Sequence, residues 1–356
     1  MASYKEQLRG DLDRWIGAGL VPAENRAAIL ESVPEGARLD AATALAWVGG
    51  VLAGVALIAF VAANWDALPR LAKFALVLGL YGAAAAAGAW FARTGRPNAA
   101  NGLLTFAAFA FAAAIGLTGQ IFDITGDEHA VFYAAGLGAG VLALAGRSSG
   151  AAIAAVWLVA AGDFGGRLFD GPALSDFAGL FVAAPVAAFL TVRWRSVPLA
   201  YGAALGVLGA ALWLGLKGRG PPPELLAIAA ALAVLAAGGR WWRERGEAVG
   251  GVFYGWLAWG AMAFYLGAGM DLHQPYTFAH RIGWLILGGA LVALGRRDRV
   301  GAVTALGVLS LMIGVSVVMY DLGLGLMAAS AVFFGAAVVA ALAGLALRRR
   351  TRARPA

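Results

Sequence analysis

The chain has no cysteine, which excludes disulfides, thiolate nucleophiles and cysteine-ligated metal centres. Its three histidines are His129, His273 and His280, and no HExxH, GxSxG or glycine-rich phosphate loop occurs. Zincin, α/β-hydrolase and P-loop chemistries therefore lack their residues. Charge is scarce as well: 13% of the 356 residues are charged against 61% hydrophobic, and the mean hydropathy is +0.78. A soluble domain carries about a quarter charged residues. Apart from Asp163, no apolar run holds a carboxylate near its centre, which argues against a proton- or sodium-coupled carrier built on a mid-membrane acid. No secretory signal peptide is apparent, because roughly 40 mostly polar residues precede the first apolar run. That run is expected to act as its own insertion signal.

Long apolar runs fill most of the remainder. About 20 residues at roughly 1.5 Å each cross a hydrocarbon core of about 30 Å. Runs of this kind fall near 41–63, 71–92, 100–121, 129–146, 149–167, 174–192, 198–216, 223–240, 248–269, 279–295, 300–320 and 324–347. The fold expected is all-α: a polytopic helical membrane protein of about twelve transmembrane helices in antiparallel hairpins. Three regions follow, an amphipathic helical hairpin over 1–40, a bundle over 41–347 and a basic tail over 348–356.

The loops alternate in sign. Arg93, Arg96, Arg147, Arg193, Arg195, Arg240, Arg243, Arg245, Arg296, Arg297, Arg299 and the tail 348-RRRTRAR-354 lie on one side, sixteen basic residues against the three acids Glu244, Glu247 and Asp298. The other side carries Asp66, Asp123, Asp127, Glu128, Asp163, Asp170, Asp176, Glu224, Asp271 and Asp321, with fewer bases. Short loops rich in arginine stay cytoplasmic, so both termini are expected inside a bacterial inner membrane. The net charge of +7 then reflects topology and attraction to anionic membrane lipids. No nucleic-acid partner is expected, because the arginines are dispersed over many short loops and form no continuous groove.

Within 3-SYKEQLRGDLDRWI-16, Leu8, Leu12, Trp15 and Ile16 recur at helical spacing, and Gly17 and Gly19 end the helix. A second helix is expected over 22–33. So small a pair cannot form its own core, and it is expected on the membrane surface, against the basic loops, or as the docking site of a protein partner.

Outer-loop landmarks at Asp66, Asp123, Asp170, Arg219, Asp271 and Asp321 are spaced by 57, 47, 49, 52 and 50 residues. Two readings stand: six repeated αα-hairpins, or evenly sized spans that give such a period by themselves. Among 51 glycines, the pairs Gly50/Gly54, Gly136/Gly140, Gly202/Gly206 and Gly251/Gly255 are spaced for close helix approach in lipid. Pro185 should kink the sixth span.

The candidate binding residues gather on the acidic side. Asp163 and Arg167 are four apart, the spacing of a helical ion pair inside the membrane; the alternative is that the span ends near Gly162 and both lie in a wet loop. Asp127, Glu128 and His129, with Asp271 and His273, join imidazole to carboxylate, but the spacing is too loose to assign a metal. Asn64, Trp65 and Asp66 close the first span, and Gln120 and Asp123 close the third, so both groups should lie at one depth. They form either an interfacial belt of capped turns or an outward-facing polar pocket.

Three stretches in order, 14-RWIGAGLVPAENRAAIL-30, 60-FVAANWDALP-69 and 117-LTGQIFDITGDEHAVF-132, resemble the bacterial membrane proteins grouped as domain of unknown function 2157. The resemblance covers roughly residues 8–145. It implies a recurring site of Asn64, Trp65, Asp66, Gln120 and Asp123, and it implies no activity. The functions that suit the residues are, in order, a transporter-like or lipid-handling bundle, a structural or regulatory partner acting through the N-terminal hairpin, and an enzyme on lipid-linked substrate. No catalytic residues, resident metal or cofactor are expected.

Overall fold

The computed structural model describes residues 4–32, 68–122, 126–165, 178–218, 221–270, 272, 276–323, 330 and 334–335. Every regular element among these is an α-helix. The chain divides into two compact units, residues 1–69 and 70–356. The predicted first span, and nearly all of the predicted twelfth, lie outside the described residues.

In the first unit, α1 (Tyr4–Gly17) and α2 (Asn25–Ser32) form the expected pair. Leu8 and Leu12 are buried while Trp15 stays exposed. Gly19 takes φ +71°, and the Leu20 amide reaches back to the Trp15 carbonyl, so the glycine ends α1 through its left-handed conformation. Asp13 accepts from the Arg26 guanidinium at 2.8 and 3.4 Å, and that contact holds the Asp13 carboxyl below its ordinary range.

The second unit has ten helices among its described residues: α3 (Arg70–Arg93), α4 (Pro97–Phe122), α5 (Glu128–Gly146), α6 (Ser149–Asp163), α7 (Leu180–Trp194), α8 (Val197–Lys217), α9 (Pro222–Glu244), α10 (Ala248–Ala268), α11 (Tyr276–Arg297) and α12 (Gly301–Asp321). They pack as hairpins α3/α4, α5/α6, α7/α8, α9/α10 and α11/α12, with α6 and α10 each also against α8. Eight are long and apolar enough to cross a membrane, while α6 and α7, at 15 residues each, are shorter. α10 and α8 are the most enclosed and α3 the least.

All five hairpins close at the arginine-rich side through one turn. A residue with left-handed φ ends the first helix: Gly95 (+74°), Arg147 (+49°), Arg195 (+51°), Gly246 (+88°) and Arg299 (+54°). The next amide then bonds to the carbonyl five residues back: Arg96 to Phe91, Ser148 to Ala143, Ser196 to Thr191, Glu247 to Trp242 and Val300 to Gly295, at 2.9–3.4 Å. This is the Schellman closure, which satisfies carbonyls that a helix end leaves without partners. Ser148 and Ser196 then cap the following helices through their hydroxyls.

Close approach depends on glycine, mostly at positions other than the expected pairs. Gly202 and Gly206 do seat α8 against Ile153 and Val156 of α6. A Cβ on Gly140 would meet nothing within 4 Å, and one on Gly255 would meet only Ala302, at 3.9 Å. One close backbone contact pairs glycines on facing helices. A Cβ on Gly239 of α9 would lie 2.7 Å from the Tyr254 amide, and one on Gly250 of α10 would lie 2.5 Å from the Arg243 amide. Pro185 sits inside α7.

Candidate functional site

At the acidic end, described candidates satisfy one another and the backbone. α6 stops at Asp163, short of the expected residue 167, so no helical Asp163–Arg167 pair forms within it; Arg167 lies outside the described residues. Asp163 is fully buried and not in a wet loop. Its carboxylate accepts from the Tyr133 hydroxyl (2.7 Å), the Gly179 amide (2.7 Å) and the Leu180 amide (2.8 Å). It thus caps the start of α7, where free amides and the positive end of the helix dipole favour an anion. Those bonds replace the solvation that a buried charge loses. Asp127 caps α5 by accepting from the His129 amide at 3.0 Å. The His129 Nδ1 meets the Gly162 carbonyl at 2.6 Å, and a carbonyl can only accept, so this nitrogen donates. His129 and Asp163 therefore join α5, α6 and α7 at one end, with Asp127 capping α5 beside them.

Asn64, Trp65, Asp66, Asp123, Asp271 and His273 lie outside the described residues, and of Gln120 and Glu128 only the helical backbone is described. The third histidine, His280, has a structural setting. Its ring stacks on Tyr265 at 4.4 Å, its Nε2 donates to the Tyr265 carbonyl at 2.9 Å, and the Tyr265 hydroxyl donates to the His280 carbonyl at 3.0 Å. No group of three histidine, aspartate or glutamate side chains suited to a metal ion occurs among the described residues.

A cavity lies elsewhere among the described residues. A groove of about 570 Å³ lies between α9 and α11 with α10 as its floor. Its walls run on α9 from Leu226 to Arg240 and on α11 from Leu287 to Leu294, and its floor runs on α10 from Tyr254 to Tyr265. Fourteen helical rises separate Leu226 from Arg240, or about 21 Å, more than the roughly 15 Å of one hydrocarbon leaflet. Exposed alanines at 230, 233 and 237 leave its α9 side open.

Among the described residues, Arg240 is the only charged one lining this groove. Its Nε and Nη2 donate to the two oxygens of Asp298 at 2.6 and 3.0 Å, the fork geometry that makes arginine–carboxylate pairs strong. Glu244 approaches Nη2 at 2.8 Å, and the Tyr254 hydroxyl donates to Asp298 at 3.1 Å. The Asp298 side chain is 6% exposed. The Arg240 guanidinium holds its carboxyl below the ordinary range, burial opposing and the tyrosine hydroxyl assisting. Sequence reasoning counted Arg240 and Asp298 only as loop charges. One available signal was Asp298 itself, the lone acid inside 296-RRDR-299.

No curated protein and no solved structure matches the chain. The resemblance seen in the sequence has a counterpart of nearly the same extent, since residues 13–152 match the model of the family described as predicted membrane protein, DUF2157.

Proposed function

We propose that this chain is a lipid-handling protein of the bacterial inner membrane, with its arginine-rich turns and both termini in the cytoplasm, and that it takes acyl chains into the groove between α9 and α11. The groove itself carries the reading. Its volume falls in the range of roughly 300–1,000 Å³ typical of ligand sites, and it runs along helices long enough to span the bilayer. Its walls are apolar apart from Arg240 and the two tyrosines, which suits a hydrocarbon chain and does not suit a hydrophilic solute. The described acidic-end residues support this choice over an outward-facing polar pocket, because the carboxylates of Asp127 and Asp163 are spent on helix caps.

The experiment fills the groove. Ala233 and Ala237 line it from one face of α9, and both are exposed, so phenylalanine at each occupies the groove without entering the core. Protein released from nanodiscs is weighed by native mass spectrometry, and retained phospholipids are counted. The expected result is retained lipid on the wild type and its loss in Ala233→Phe/Ala237→Phe, with thermal unfolding of the variant unchanged. Equal lipid retention in a folded double variant rules the groove out.

A further inference from the structure

Resting on that reading, we propose that the arginine-rich mouth of the groove selects lipids with a net negative headgroup, whose phosphate is received by Arg240. The groove has one charged end. Its opposite end, near Leu226 and Tyr265, has no ionised lining residue, so a lipid with its chain in the groove meets fixed charge only beside Arg240.

The geometry there leaves room for an anion. Asp298 takes the Nε/Nη2 edge of the guanidinium and Glu244 a second contact on Nη2, while Nη1 makes no hydrogen bond among the described residues. The Arg240 side chain is 26% exposed. The α9 terminus adds Arg243 and Arg245, and α11 ends in Arg296 and Arg297 ahead of Arg299, against the acids Glu244, Glu247 and Asp298. Six cations against three anions leave the mouth positive after the internal pairs are counted. Arg240 lies one helical turn before the end of α9, about 6 Å inside it, the depth at which a headgroup phosphate meets hydrocarbon. Asp298 thus has two consequences: it orients the guanidinium by its fork, and it competes with an incoming phosphate for the same positive charge.

The test uses full-length protein in nanodiscs of equimolar phosphatidylglycerol and phosphatidylcholine, with the retained lipids identified by native mass spectrometry. One interfacial arginine contributes about a fivefold factor, so wild type should hold phosphatidylglycerol over phosphatidylcholine by about that ratio. Arg240→Gln/Asp298→Asn replaces the ion pair by two amides, avoiding a stranded carboxylate, and leaves the net charge of the mouth unchanged; loss of the Arg240 contact should lower the ratio several-fold below wild type while total lipid stays constant. Asp298→Asn alone removes the competitor and should raise the ratio above wild type. A merely structural role for the pair would move unfolding temperature and leave both ratios alone. No preference in the wild type, or a preference undiminished in the double-amide variant, overturns headgroup selection by Arg240 and leaves acyl binding standing. Retention unaffected by Ala233→Phe/Ala237→Phe overturns the groove and this inference with it. Displacement of phosphatidylglycerol by inorganic phosphate alone would overturn the requirement for a lipid, because the acyl chain is then not part of recognition.

Discussion

Gly250 and Gly255 occupy the same helix five residues apart, and the structure assigns their replacement by alanine opposite signs. A Cβ on Gly250 would fall 2.5 Å from the Arg243 amide nitrogen and 2.6 Å from the Gly239 carbonyl oxygen. Both neighbours are backbone, so no rotamer change relieves the contact and α9 must move off α10. Overpacking costs about 1–3 kcal/mol, and a backbone-limited clash belongs at the upper end. Alanine recovers about 1 kcal/mol of helix propensity, leaving a net loss of about 2 kcal/mol. At Gly255 the nearest atom is the Ala302 Cβ at 3.9 Å, an ordinary contact, so the propensity gain stands nearly alone and Gly255→Ala should be neutral or stabilising by up to about 1 kcal/mol. The 12 tryptophans give an intrinsic fluorescence signal for thermal unfolding in detergent. Unfolding temperatures that move together in the two variants would refute the argument that facing backbones, and not a same-helix glycine pair, set the α9/α10 distance.

Three other outcomes follow from the described contacts. Asp163→Ala removes the acceptor of two α7 amides and of one Tyr133 hydrogen bond in a buried site and should cost about 3 kcal/mol or more, while Tyr133→Phe, which removes one bond to a charged acceptor, should cost about 1.5–3 kcal/mol; equal, negligible losses in thermal unfolding would show that the cap is not formed. Because Asp298 is held below its unfolded value, its contribution is present above the ordinary carboxylate range near 4 and is lost as pH falls through the lower folded value, so Asp298→Asn should flatten the acid limb of an unfolding-temperature profile below about pH 4. With no native cysteine, single cysteines report topology directly: Thr94→Cys should react with an impermeant maleimide only from the cytoplasmic side and Met270→Cys only from the periplasmic side, and labelling of both from one compartment removes the proposed orientation.

Helices were legible where composition alone decides them. The spans expected over 71–92, 198–216, 248–269 and 300–320 agree with α3, α8, α10 and α12 to within two residues at each end, since uninterrupted apolar length is a strong signal. At Asp163 the sequence left two readings open, a helix continuing to Arg167 and a span ending near Gly162; the helix ends at Asp163 as in the second, but with the carboxylate buried and not in a wet loop. The end of α6 is set by a tertiary event, capture of the carboxylate by amides of α7 sixteen and seventeen residues on, which no local period records. The groove was equally illegible, because its alanines are indistinguishable in sequence from those of the core. Arg240 and Asp298 become partners only when two hairpins lie side by side, 58 residues apart in the chain. Asn101 is a similar case: its side-chain oxygen accepts from the Ser148 hydroxyl and the Gly150 amide at 2.8 and 2.9 Å, tying α4 to the next turn.

The period near 50 residues appears more sharply at the arginine-rich turns than at the acidic landmarks from which it was first read. The left-handed residues at 95, 147, 195, 246 and 299 share one closure, although their identities differ. A two- or three-residue connection between antiparallel helices has few solutions, so shared geometry follows from shared architecture and does not require duplicated sequence. What the architecture does not explain is arginine at three of five positions where glycine is conformationally cheaper by roughly 1 kcal/mol. All three arginines are exposed at the apex of their turns, where the side chain contributes charge and little packing. In the proposed orientation the strain is offset by membrane topology, since arginine in a short loop favours keeping that loop cytoplasmic. Arg147→Gly separates the two effects, because no ion pair of Arg147 occurs among the described residues. It should raise stability in detergent by up to about 1 kcal/mol, while increasing the fraction of chains whose Thr94→Cys label is reached from the periplasm. Loss of stability in that variant would mean that the arginine is held at the apex by a contact of its own, and that topology is not why it is there.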